Sequence, residues 1–387
     1  MSKKLKINFL TGFSNTQGTY FRWHNIGVGL ILLGHEVTVY CVDYGDKAMS
    51  RIEMIDGIEY NFIKGARGKQ YFGTVNNPFT ALKRLFTNYK KCDVLHVFQP
   101  FLAVYLPWKF KLKKLSKVTI FDWDDLWVGG MFSGKNVNFL AKWDYQIVGY
   151  LENKIPSLNL PMTTCSNLLK NLATERGNNE CTIFHNGFWP YQISEKQKAR
   201  IKMKLQSNCI YVGFMGRTTH ELLWCFEALE LCLQQNLSVR FALCGPNKEE
   251  LINMPAMAME HTDYLGNLTP LETRDFAAAL DLGLLPLEDN TFNKSRFPIK
   301  LSEYMAAGIP VLCSEVGEMN EYITKYSWVI PAGIDKYQWI ENFIIAVRNI
   351  ALKPDTFIVD KEIIKNDLSW LEISKKVESI YFAKLAS

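Results

Sequence analysis

In LDLGLLPLEDNTFNKSRFPIKLSEYMAAGIPVLCSEVGEMNEYI, residues 280–323, Lys300 and Glu303 stand three apart. That spacing puts both on one face of a helix. A polar loop carrying Ser295 and Arg296 leads to Phe297-Pro298-Ile299, which opens a helix predicted to run to about Ala307. Gly308 stops it and Pro310 leads into the next strand. The free amides of a helix N-terminus and the positive end of its dipole make a seat for a diphosphate. A lysine there can neutralise phosphate, and a carboxylate on the same face can accept two ribose hydroxyls. The same pair could instead be an exposed ion pair, worth roughly a few tenths of a kcal/mol.

Two segments of the first half could also carry chemistry. TGFSNTQGTYFRWHNIGVGLILLGHEV (11–37) reads as a polar loop after a strand, then a helix from about Tyr20 to Leu33 capped by Gly34. Gly18 lets a ligand approach the backbone, and the amides of Thr19 and Tyr20 could hold an anion or a sugar hydroxyl. Gly27, Gly29 and Gly34 only superficially suggest a dinucleotide fingerprint, because they lie inside the helix rather than between strand and helix. A dehydrogenase is thereby excluded. FDWDDLW (121–127) places Asp122, Asp124 and Asp125 between tryptophans. These carboxylates could chelate a divalent ion on a diphosphate. Asp124 or Asp125 could contact substrate hydroxyls or accept a proton, and Asp125 could simply cap a helix.

The elements that must position these residues alternate from end to end. Predicted strands in the first half are Leu5–Leu10, Glu36–Val42, Ile58–Ile63, Asp93–Phe98, Val118–Asp122 and Met162–Cys165. In the second half they are Cys209–Met215, Val239–Cys244, Asp263–Leu265, Leu282–Pro286, Val311–Cys313 and Trp328–Ile330. Near-continuous apolar strands between helices mean parallel sheets covered on both faces, hence α/β, doubly wound domains. A length of 387 residues suits two of them. The joint is expected near HNGFWPYQ (185–192), where Asn-Gly and Trp-Pro break regular structure. The boundaries drawn are 1–187, 188–366 and a closing helix at 367–387, with ligands expected in a cleft between the two domains.

Composition narrows the class. The chain is 48% hydrophobic and 21% charged, so it is not disordered. No apolar run is long enough to span a bilayer, and the start lacks a signal-peptide pattern. A soluble, cytoplasmic protein is expected. Nine cysteines without a C-x-x-C pair read as reduced core thiols, giving neither a zinc site nor a disulfide framework. Residues 1–190 carry 23 Lys and Arg against 14 Asp and Glu, while 191–387 carry 21 against 25. PWKFKLKKLSK (107–117) concentrates that basic bias, interleaving five lysines with Trp108, Phe110, Leu112 and Leu115. It could rest on an anionic membrane from the inner face, or be a solvated helix face. No nucleic-acid-binding module accompanies the charge.

The segment 280–323 closely resembles the donor-site signature of the group 1 glycosyltransferases of GT-B fold (glycosyltransferase family 4). Glu303 matches the second Glu of the family's Glu-x7-Glu and is followed by Tyr-Met-Ala-Ala-Gly-Ile-Pro-Val, with Gly317 and Glu321 further on. The first βαβ unit, MTTCSNLLKNL with CTIFHNGF, YVGFMGRTTHE, DYLGNLTPLETRDFAAALDLGLLPL and the tail from Ser369-Trp370 to Tyr381 follow in family order. The resemblance is strong over 208–323, moderate over 1–45 and 160–190, and weak over 45–160. It implies two Rossmann-like domains facing each other across a cleft, the first for the acceptor and the second for a nucleotide-sugar donor.

By the same resemblance, Arg217 and Lys300 would hold the diphosphate, with Gly216 and His220 in the same loop as Arg217. Glu303 would hold the ribose, Gly266 would lie beside the base, and Gly18 near the transferred sugar. The sequence departs from the family pattern in three places. Ser295 stands where the first glutamate belongs; Thr218, Thr219 and His220 fill the loop that usually carries a lysine; and Asp122, Asp124 and Asp125 replace the usual histidine. The implied activity is transfer of a sugar from a nucleotide diphosphate to a hydroxyl of a glycan, polysaccharide or lipid-linked acceptor. Configuration would be retained, with no cofactor and no obligatory metal. A sugar-nucleotide epimerase of the same fold, or a protein that binds sugar nucleotides without catalysis, are the alternatives.

Overall fold

The computed structural model describes residues 3–386, apart from 16–18, 45–46, 67–74, 132–138, 217–219, 246–250, 252–253 and 355. The chain divides into two compact units. One comprises Met1–Asn186 with Trp370–Ser387, and the other comprises Gly187–Ser369.

The first unit is built on eight strands: β1 Lys6–Thr11, β2 Glu36–Asp43, β3 Arg51–Ile55, β4 Ile58–Lys64, β5 Cys92–Phe98, β6 Ser116–Trp123, β7 Met162–Thr164 and β8 Cys181–Ile183. Their order is β3-β4-β2-β1-β5-β6-β7-β8, parallel except for β3, which returns on β4. Asp56 and Gly57, both at positive φ, make the two-residue turn of that hairpin. Strand order reverses between β1 and β5, the place where an open α/β sheet forms its ligand crevice. The central strands are apolar nearly throughout because both faces are covered, and Phe9, Val39, Tyr60 and Val94 have no exposed surface.

The closing helix, Trp370–Ala386, belongs to this unit and explains Gly29 of the first helix, Tyr20–Leu32. A Cβ on Gly29 would stand 2.0 Å from Ser374 Oγ, so two backbones meet there. Ser374 donates to the Ile26 carbonyl at 3.2 Å, Glu378 pairs with His35 at 2.6 Å, and Tyr381 bonds His96 at 2.7 Å.

The second unit carries β9 Ile210–Met215, β10 Val239–Cys244, β11 Thr262–Tyr264, β12 Leu282–Leu285, β13 Val311–Cys313 and β14 Val329–Pro331. All are parallel, in the order β11-β10-β9-β12-β13-β14. Here the order reverses between β9 and β12. β9 leads into Gly216 and β12 into the segment 286–298, where the sequence carries the chemistry.

Candidate functional site

Three glycines bare the backbone at the carboxyl ends of β9, β10 and β11. Gly216, Gly245 and Gly266 all have positive φ. Gly216 N–H donates to Cys244 at 3.0 Å and Gly245 N–H to Gly266 at 2.8 Å. A Cβ on Gly245 would lie 2.8 Å from the Gly216 carbonyl oxygen, so the two loops are in backbone contact.

Against this floor stands the helix Ile299–Ala307. Its entry is Pro298, no side chain caps its first amides, and Gly308 ends it in the left-handed conformation. Tyr304 braces it, accepting from Met215 N–H and donating to the Gly213 carbonyl, both at 3.1 Å. The brace sets Lys300 over the ring of Phe214, Nζ 3.9 Å from the centroid, in the space a Gly216 side chain would fill.

Lys300 and Glu303 form no surface ion pair. Both are partly buried and attract one another without a hydrogen bond. Burial, then the Arg296 guanidinium, lowers the Lys300 pKa to about 8, and burial raises Glu303 to about 7. Two cations beside a helix start that no side chain caps form a site that an anion would relieve.

The preceding loop is folded on itself. Asn290 caps the short helix Thr291–Ser295, and Ser295 is fully buried, its hydroxyl donating to the Phe292 carbonyl at 2.8 Å. Arg296 donates to Asn293 at 2.7 Å and lies over Phe292. Phe297 is buried against Tyr322, while Pro298 and Ile299 are half-buried at the helix entry.

His220 is exposed, its Nδ1 3.5 Å from Glu221 and its Nε2 3.5 Å from Glu288. Glu221 is buried and accepts from the Glu288 amide at 3.0 Å. These three side chains bring ligand atoms within 4.8 Å of one another and are, among the described residues, the group that could hold a cation. Neither glutamate stood out in the sequence, because the loop after β12 alone brings Glu288 to His220. Arg217, with Thr218 and Thr219, and Gly18 lie outside the described residues.

In the first unit the aspartates separate into distinct roles. Asp122 is the buried partner of Arg22, bonded through Nε and Nη2 at 2.9 Å each, and also accepts from Thr163. It therefore cannot be half of a metal-chelating Asp-x-Asp. Asp124 follows β6, buried, with Oδ1 lacking a hydrogen-bond partner among the described residues. Burial, then its neighbours Asp125 and Asp122, pushes its pKa well above the carboxylate range. Asp125 is half-buried and does not start an α-helix. The chain turns once over Trp127–Met131, and Glu152 accepts the amides of Trp127 and Val128 at 2.8 and 3.0 Å.

Thr19 stands at the N-cap of the first helix without a capping bond, its Oγ1 buried and without a partner among the described residues. Sequence reasoning missed Gln99, at the end of β5. It is buried at φ +71°, its amide oxygen fixed by Trp127 Nε1 at 3.0 Å. The only signal was a polar residue before proline directly after a strand.

Comparison with known proteins gives the frame for these sites. Residues 206–348 match the family described as glycosyl transferases group 1. TuaH of Bacillus subtilis (strain 168), whose name assigns it as a glycosyltransferase of teichuronic acid biosynthesis, is 25% identical over 204 residues. That match spans about half of each protein, 50% of this chain and 49% of TuaH. Among solved structures, sucrose-phosphate synthase from Thermosynechococcus elongatus superposes with a TM-score of 0.73 at 13% identity, over 99% of this chain and 100% of its own. Anabaena HepE in complex with UDP-glucose gives 0.66 at 15% identity, over 98% and 100%. With two parallel-sheet units and this likeness the chain has the GT-B fold, and on its second unit it carries the segment that matches the group 1 glycosyl transferases.

Proposed function

We propose that this protein transfers a sugar from a nucleoside diphosphate to a hydroxyl of a growing glycan, with retention of configuration and without an obligatory metal. The observation that carries the reading is the seat of Lys300. Its ammonium is held on bare backbone, beside Arg296 and uncapped helix amides, at the strand ends where the sheet reverses. Cations so placed stabilise charge that grows on a departing diphosphate, the task a metal would otherwise perform. Glu303 is placed to accept ribose hydroxyls, and Arg217 keeps the diphosphate role that the resemblance implies. Asp124, protonated by burial, would donate a hydrogen bond to a substrate hydroxyl rather than take a proton. In retaining transfer the diphosphate oxygen itself can receive the acceptor's proton.

HepE binds UDP-glucose and TuaH is assigned by name to teichuronic acid biosynthesis, which makes UDP-glucose the first donor and a teichuronic acid-like glycan the first acceptor class to try. Release of nucleoside diphosphate from UDP-, GDP- and ADP-sugars, with and without chelator, tests the reading, with the product anomer read by NMR. Metal-independent release with one base and a retained anomer is expected. An inverted product or chelator-sensitive turnover would refute those parts. Ser295, buried where the family has a glutamate, favours a second reading of binding alone. Donor binding with no turnover on any acceptor would establish it.

A further inference from the structure

The helix Pro78–Leu85 of the first unit has an apolar outer face that the described residues leave exposed. Asn77 caps it, accepting from the amides of Phe79 and Thr80. Its inner face is fixed by Thr80, Ala81 and Arg84, all fully buried, with Arg84 donating to the carbonyls of Thr11 and Tyr40 at 2.8 and 2.9 Å. Phe79, Leu82 and Phe86 recur at i, i+3 and i+7 and so share the opposite face. Phe79 is 73% exposed, Phe86 is 86% exposed, and Leu82 is exposed between them.

The basic segment 107–117 lies alongside, but not as its sequence suggested. Trp108 and Leu112 are buried, and Lys117 pairs with Asp93 at 2.7 Å. Lys111 turns back to the carbonyls of Leu85 and Thr87 at 3.2 and 2.7 Å, tying the segment to the end of the apolar helix. What remains outside is Phe110 with Lys109, Lys113 and Lys114. These lysines and Lys91 have no acidic partner among the described residues. Across residues 60–121 there are twelve Lys and Arg and one acid, Asp93, which Lys117 and the Lys6 amide already occupy.

We propose that this face docks on an anionic lipid surface, Phe79, Leu82, Phe86 and Phe110 entering the headgroup boundary and Lys109, Lys113 and Lys114 meeting lipid phosphates. Charge selects this occupant. A second copy would bring the same basic patch against itself, and like charges oppose that pairing. Long lysine stems keep their ammonium groups at the headgroups while the aromatic rings sink. Among the described residues no helix is long and apolar enough to cross a membrane, so the contact is at the surface.

Co-sedimentation of the full chain with vesicles of equal parts phosphatidylcholine and phosphatidylglycerol, against vesicles of phosphatidylcholine alone, tests this. Binding only to the anionic vesicles, weakening as salt rises, is expected. Lys109→Glu with Lys113→Glu and Lys114→Glu should lower the partition coefficient about a hundredfold or more. Phe79→Ser with Phe86→Ser should lower it about tenfold or more, with no change in melting temperature because both rings are exposed. No preference for anionic vesicles, or variants that bind as wild type does, would overturn the proposal. So would a dimer in sedimentation velocity that the phenylalanine variant abolishes, since that assigns the face to a second copy.

Discussion

Lys300 occupies the space that a side chain on Gly216 would fill: a Cβ there would stand 2.6 Å from the lysine's Cε and 2.9 Å from its Nζ. A residue with no side chain in the loop after β9 thus decides where a cation on a different element comes to rest. Gly216 also holds φ at +115°, so the same position supplies both the space and the turn.

Gly216→Ala should therefore displace the ammonium and strain the loop together. A cost of about 1–3 kcal/mol in stability is expected from the backbone alone. Affinity for a nucleoside diphosphate should fall more than tenfold, because the cation no longer sits on the strand ends. Calorimetric titration with UDP, GDP and ADP, alongside a melting curve, separates the two effects. An alanine variant that binds as tightly as wild type would mean that the Lys300 seat is not the diphosphate site.

Lys300→Ala removes the cation without touching the turn. A charge-assisted contact to phosphate contributes about 1.5–3 kcal/mol, so the dissociation constant should rise roughly ten- to a hundredfold. Stability should hold or rise slightly, since a half-buried ammonium whose pKa is lowered to about 8 is a cost to the free protein. Thermal shift with the preferred nucleotide sugar reads this directly. A shift equal to that of wild type would remove Lys300 from the binding site.

With the roles proposed for it, the same pair would set a pH window for binding. Glu303 must be ionised to accept ribose hydroxyls well, and its pKa is raised to about 7 by burial. Lys300 must be protonated to hold phosphate, and its pKa is lowered to about 8. Affinity for the donor should climb through about pH 7 and decline through about pH 8, each limb approaching about tenfold per pH unit. Glu303→Gln should erase the lower limb and leave the upper one. A flat profile between pH 6 and 9, measured by titration with the same nucleotide, contradicts both roles.

The sheets were legible because buried parallel strands such as Val239–Cys244 and Val311–Cys313 are apolar runs bounded by turn residues. Strand β3 was not, since Arg51, Ile52, Glu53 and Met54 lie at the sheet edge, largely exposed, and no apolar run betrays them. Only the Asp56-Gly57 turn marked that hairpin. The spacing of Lys300 and Glu303 placed both on one face, but it could not show Lys300 turned toward Phe214 and Gly216. Nor could FDWDDLW show that Asp122 belongs to Arg22, one hundred residues earlier. Contacts between distant strands decide which member of a polar cluster remains for chemistry, and a local pattern does not contain them.

Glu152 offers a test of the turn that follows Asp124 and Asp125. Its carboxylate accepts the amides of Trp127 and Val128, yet burial raises its pKa to about 7 from the ordinary 4.5. Between those values the folded protein binds the proton more tightly than the unfolded chain does. The stability contributed is therefore fully present below about pH 4.5 and lost as pH rises through about 7. Converted at 1.36 kcal/mol per pKa unit, the loss is of the order of 3 kcal/mol. Glu152→Gln keeps an acceptor for the turn but does not titrate, so wild type should lose ground to the variant between pH 5 and 8. Urea unfolding of both proteins at several pH values in that range gives the comparison. If the two lose stability in parallel, Glu152 is ionised throughout and its burial is offset by the two amides it holds.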